Sequence, residues 1–207
     1  MNEEKEILDT IYKYYPKNID RYNSEYDTSE EHISLISKLK SAAGDSRWKD
    51  FLSQIQTIPN LDISDCSTFA FPIPCFMANI YTINGIEKHE IVFYISIITG
   101  YYALKHTRLY NDPYWDDNWD DKSKKIAFEQ FSTEYERNKD KYKPSLNTYP
   151  ENIARLIETV IECQEKSFDY KLLSQDLANK FVPDVATNGK LLGTASVFDC
   201  IFTELEI

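Results

Sequence analysis

The sequence predicts an α+β fold: an antiparallel β-sheet, a meander plus a late C-terminal strand, packed with N-terminal and C-terminal helices. Three observations carry that expectation. Apolar residues recur at helical spacing over 1–60 and again over 123–181. Between them, 68–107 shifts to β-branched and aromatic residues, with Asn84-Gly85 separating two runs. Near the end, Ser196–Thr203 (SVFDCIFT) reads as a strand returning to the sheet. With no internal repeat, low-complexity tract or linker, 1–207 reads as one domain.

In the first helix Ile7, Leu8, Ile11, Tyr12 and Tyr15 share a face, and Pro16 is placed to end it. Thr28 and Glu31 have capping-box spacing ahead of a stripe of Leu35, Ile36, Leu39 and Ala43. His32 is expected on the polar side of that helix. Gly44 stops it, and Asp45 or Ser46 caps the next, whose stripe is Trp48, Phe51, Leu52, Ile55 and Ile58 before Pro59. Helices this short are marginal alone, so they must dock on something apolar.

The sheet supplies that surface. Asn84-Gly85 offers both positive-φ positions of a type I′ hairpin turn. After it, Ile91, Phe93, Ile95 and Ile97 alternate with Val92, Tyr94, Ser96 and Ile98, and both sets are largely apolar. Such a strand belongs in the middle of a sheet covered on both faces. Pro72 and Pro74 push the preceding segment towards an edge or bulge, and Gly100 permits a turn into a strand over Tyr101–Thr107. A lysine-rich helix is expected from Ser123 to Asn138. Another starts at Thr148, Pro150 and Glu151 and continues through Ile153, Leu156, Ile157, Val160 and Ile161. A further helix over Asp169–Phe181 would bury Leu172, Leu173, Leu177 and Phe181, with Pro183 ending it and Gly189 and Gly193 marking a loop.

Composition narrows function. The 23 basic and 34 acidic residues give a net charge of −11, which disfavours nucleic acid or an anionic membrane as partner. The start, MNEEKEILDT, is acidic where a secretory signal would be basic, and the most apolar run, Ile91–Ile98, is too short to span a bilayer. A soluble, cytoplasmic protein is expected, with Cys66, Cys75, Cys163 and Cys200 as free thiols. No cofactor and no metal are expected. His32, His89 and His106 stand apart without zinc-site spacing, and Asp112, Asp116, Asp117, Asp120 and Asp121 lack the order of a calcium loop. There is no G-x-S-x-G elbow. The run Asn188–Thr194 (NGKLLGT) inverts the phosphate-loop order, and the pairs Glu30/Glu31 and Asp116/Asp117 read as solvated charges.

One stretch stands above this background. Residues 111–121, NDPYWDDNWDD, hold five aspartates with Tyr114, Trp115 and Trp119 and no positive charge. Aromatic side chains give contact area at low entropic cost, and aspartates around them steer a basic surface. Asp112, Tyr114, Trp115, Asp116, Asp117, Trp119, Asp120 and Asp121 are therefore the candidate partner-binding residues. The competing reading is that Trp115 and Trp119, at i and i+4, pin a loop onto the core.

Asn23–Glu31 (NSEYDTSEE), Arg47–Ile55 (RWKDFLSQI), Pro74–Tyr81 (PCFMANIY), Ile95–Leu104 (ISIITGYYAL) and Gly193–Phe202 (GTASVFDCIF) together resemble immunity-type proteins of bacterial polymorphic or contact-dependent toxin systems. The resemblance implies an acidic, cytosolic α+β protein that binds a cognate toxin domain and blocks it without catalysis. It carries over no functional residue, because recognition surfaces in such families diverge with each toxin. A nuclease with a basic cleft is a toxin this charge would suit. Two rivals remain open: an enzyme acting on a small molecule in a cleft beside the sheet, and a homo-oligomeric assembly protein.

Overall fold

The computed structural model describes residues 3–67, 73–84, 87–110 and 151–202. The expected helix over 123–138 lies outside them.

Helix α1 (Glu3–Ile11) buries Ile7 and Ile11, and its first turn carries Glu3, Glu4 and Glu6, favourable at the positive end of the dipole. Turn bonds carry the chain on to Tyr15, which is buried, just before Pro16. Helix α2 (Glu30–Ala42) is capped one residue later than expected: Ser29 Oγ accepts from the His32 N–H, while Thr28 Oγ1 donates to the Glu25 carbonyl. His32, expected on the polar side, is buried, because it sits one turn before Leu35 on the stripe that continues to Leu39 and Ala42. Asp45 caps α3 (Ser46–Gln56) by accepting from the Arg47 N–H, and α3 buries Trp48, Phe51 and Ile55.

Strands β1 (Leu61–Asp65), β2 (Cys75–Asn84), β3 (Glu87–Ser96), β4 (Tyr101–Tyr110) and β5 (Lys171–Leu172) form one open sheet in that order. The first three pairings are antiparallel and the last, β4 with β5, is parallel. Strand β1 was not expected, since LDISD offers only Leu61 and Ile63 as apolar residues. Asn60, at φ 62°, helps turn the chain into it after α3. Pairing of Asn84 with Glu87 places Asn84 within the ladder, one position before the turn it was expected to open. Positions 85 and 86 lie outside the described residues.

Register divides the sheet into two faces. On one, which carries Phe76, Phe93, Ile95 and Tyr102, α3 docks through its rings: Trp48 stacks between Phe51 and Phe76 at 5.3 and 5.1 Å, and Phe51 meets Phe93 at 5.3 Å. Trp48 Nε1 also donates to Asp65 Oδ2 at 3.2 Å, joining α3 to β1. Helix α4 (Glu151–Ser167) packs beside α3, burying Ile153, Leu156, Ile157, Val160 and Cys163. On the other face Tyr94 meets Phe198 and Phe202, and Tyr101 donates to Glu3 of α1 at 2.8 Å. The middle strand is thus covered on both faces, as its two apolar sets require.

Two expectations near the C-terminal end are overturned. Asp169–Phe181 is not one helix: Asp169 takes φ 53°, β5 follows, and α5 (Gln175–Ala178) is a single turn. The Lys171 and Leu173 amides donate to the Gly100 and Tyr102 carbonyls, both at 2.9 Å, which commits this backbone to the edge of β4. Leu172 and Phe181, expected to be buried, are exposed. The strand expected over 196–203 is instead a helix, α6 (Val197–Ile201), within the part described. A capping box decides it: Ser196 Oγ accepts from the Asp199 N–H, and Asp199 Oδ2 accepts from the Ser196 N–H. The strand that joins the sheet late is β5.

The segment after α1 is laced to the segment before α6. Lys17 bridges Val185, the Asn18 amide donates to the Asp184 carbonyl at 2.8 Å, and the Tyr26 hydroxyl donates to the Ala186 carbonyl at 2.8 Å. Tyr12 donates to Asp184 Oδ1; burial, with Asp184 beside it, pushes the Tyr12 phenol up to about 12. Among the described residues, no helix is long and apolar enough to cross a membrane.

Candidate functional site

Asp112, Tyr114, Trp115, Asp116, Asp117, Trp119, Asp120 and Asp121 lie outside the described residues. Their root is within them. Strand β4 runs to Tyr110, whose ladder partner is Glu87, so the chain leaves towards Asn111 at the end of the sheet that carries the β2–β3 connection.

Close to that root the sheet brings two histidines together. His89 of β3 and His106 of β4 are diagonal neighbours in the ladder, and His89 Nδ1 stands 3.0 Å from His106 Nε2. The ring centres are 5.3 Å apart and the planes 14° from parallel, so the nitrogens face each other roughly along the line between the rings. That alignment suits one shared N–H···N hydrogen bond, with one ring donating and the other accepting. His89 is fully buried. Burial holds both imidazoles below the ordinary histidine value, and His89 lowers His106 further. In sequence the two residues stand apart, seventeen positions from each other. Their chance of meeting was visible only in the strand register, which sequence spacing of itself does not carry.

A second polar cluster lies on the opposite face. Asn79 Nδ2 donates to the Tyr81 hydroxyl at 3.1 Å and to Glu90 Oε1 at 3.2 Å. Asn79 is buried, and its Oδ1 has no hydrogen-bond partner among the described residues. Tyr81 and Glu90 are ladder partners, so the three groups follow from alternation along β2 and β3. The cluster is rich in acceptors and fixed by the sheet, but it is only part-buried.

The thiols are free, as expected: Cys75, Cys163 and Cys200 are buried and Cys66 is half-buried. Burial pushes Cys75 and Cys163 up, away from the thiolate that nucleophilic chemistry needs. Glu30 and Glu31 sit in the first turn of α2, where the dipole favours them. Asn188–Thr194 is a loop: Asn188 Oδ1 accepts from Arg21 Nε, and Gly193 at φ 83° lets the backbone pass the Pro183 carbonyl. Among the described residues there is no group of three or more His, Cys, Asp or Glu side chains placed to hold a metal ion.

Compared with family models, with curated proteins and with solved structures, the chain matches none.

Proposed function

We propose that this protein is a non-catalytic immunity-type protein that binds a cognate bacterial toxin domain in the cytoplasm and blocks it. The observation that carries this reading is the concentration of five aspartates, two tryptophans and one tyrosine in 111–121, following directly on the end of β4 in a chain of net charge −11. An acidic segment rooted in a firm sheet offers carboxylates to a basic surface and aromatic rings to the pockets around it. Against a nuclease, those carboxylates would occupy the positions of nucleic-acid phosphates. The test is to mix the purified protein with the toxin domain encoded beside its gene and follow toxin activity. One-to-one loss of activity is expected. Unchanged activity, or loss that continues with turnover at substoichiometric protein, overturns the reading.

A further inference from the structure

We propose that the corner where residues 20–27, the start of α2 and the 188–194 loop meet is a docking surface for a basic face of the partner domain. It rests on the toxin-binding reading and adds to it a second surface, remote in sequence from 111–121. Five large apolar side chains are exposed among the described residues: Tyr22, Ile33, Leu172, Phe181 and Leu191. Scattered singly they would mean little. Three of them, however, belong to segments that one side chain ties together: Tyr22 at 85%, Ile33 at 56% and Leu191 at 53% exposed. Arg21 donates from Nε to Asn188 Oδ1 at 2.8 Å and from Nη1 to Asp27 Oδ1 at 2.9 Å. That same Asp27 oxygen stands 3.5 Å from His32 Nε2. Tyr22 follows Arg21 directly, Ile33 follows His32 directly, and Leu191 comes shortly after Asn188.

The backbone beneath these side chains is fixed. Asp20 Oδ1 accepts from the Tyr22 amide at 3.1 Å and its Oδ2 from the Leu192 amide at 3.5 Å, so one carboxylate holds both segments. Asn23 Oδ1 accepts from the Glu25 amide at 3.0 Å, and Ser29 caps α2. Under the turn, Tyr26 is buried with its hydroxyl on the Ala186 carbonyl, and the Arg21 guanidinium carbon lies 5.1 Å from its ring centre. A tyrosine carried on such a turn has little backbone freedom left to lose on binding, and its ring has nearly all its area still to bury.

Charge selects the occupant. Residues 20–33 hold Asp20, Glu25, Asp27, Glu30 and Glu31 against Arg21, and the loop adds Lys190. Glu25, Asp27 and Glu30 are exposed, whereas Arg21 is turned onto Asn188 and Asp27. Apolar side chains set among carboxylates fit a protein surface with an apolar pocket ringed by Lys and Arg. A second copy of this chain would set carboxylates against carboxylates, and a nucleic acid would set phosphates against them.

Binding of the full chain to the toxin domain encoded beside its gene, followed by calorimetry and stopped flow, tests the surface. The double variant Tyr22→Ala, Leu191→Ser changes only exposed positions, and an unchanged urea midpoint checks that it folds. Its affinity is expected to fall about tenfold or more. Leu172→Ser, an exposed apolar change on β5, is expected to leave affinity unchanged. Glu25→Gln with Glu30→Gln is expected to slow association at low salt. Wild-type affinity in the double variant, an equal loss in Leu172→Ser, or an unchanged on-rate without the two carboxylates overturns this surface and leaves the functional reading standing. A wild-type chain that does not bind the domain overturns both.

Discussion

At the scale of single residues, the His89–His106 pair makes stability depend on pH. A histidine in the unfolded chain takes its proton near 6.5, whereas burial lowers that value for both members in the folded state. The unfolded state therefore binds more protons in mild acid, so the pair's contribution is fully present above 6.5 and is lost as pH falls through the lowered folded values. His32 acts in the same direction, since burial lowers it too, with Asp27 opposing. The urea midpoint is expected to drop between about pH 7.5 and about pH 5.5, and His106→Gln should shrink that drop. An equal drop in both proteins would remove the pair as its cause. The register that makes the pair was not legible in the sequence, whereas His32 stands three residues before Leu35, so its place on the buried stripe follows from spacing whichever residue caps the helix.

Among elements, α3 shows what sequence does carry. Trp48, Phe51 and Ile55 keep helical spacing behind an Asp cap, and the helix forms with those residues buried. Phe51 meets Trp48, Phe93 and Phe168, with no exposed surface. Phe51→Ala should cost about 3–5 kcal/mol, read as a lower urea midpoint with unchanged slope. Helix α6 shows the opposite case. In SVFDCIFT the apolar residues fit a period of two nearly as well as 3.6, so periodicity could not choose, whereas two hydrogen bonds between Ser196 and Asp199 do. Ser196→Ala should therefore cost about 1 kcal/mol and lower Tm, while Ser196→Asp should largely restore it. Strand β5 has only two residues, too few to show any period, and its place is set by the carbonyls of Gly100 and Tyr102.

For the whole molecule, the sheet's terminal strands are both short: β1 has five residues, with Asp62 and Asp65, and β5 has two, pairing only with Tyr101 and Tyr102 of β4. The short, charged β1 edge discourages strand-to-strand association with other chains. Long-range charge belongs to the same scale. If the proposed function holds, exchanging Asp116, Asp117, Asp120 and Asp121 for Asn should slow association with the proposed toxin domain at low salt and flatten its salt dependence, measured by stopped flow. An unchanged on-rate would remove this stretch as the source of steering. The candidate residues were legible as composition, which gives no position in space; the described sheet adds only the point from which they depart. The lacing of residues 12–26 to 184–186 bears on how the protein comes to be made. Residues of α1 and the turn after it emerge from the ribosome well before the segment that satisfies them. The β2–β4 meander can close on its own neighbours as it appears, but Ile7, Ile11 and Tyr26 must wait for far later residues before they are covered. During synthesis the early part of the chain is thus the part most in need of a chaperone.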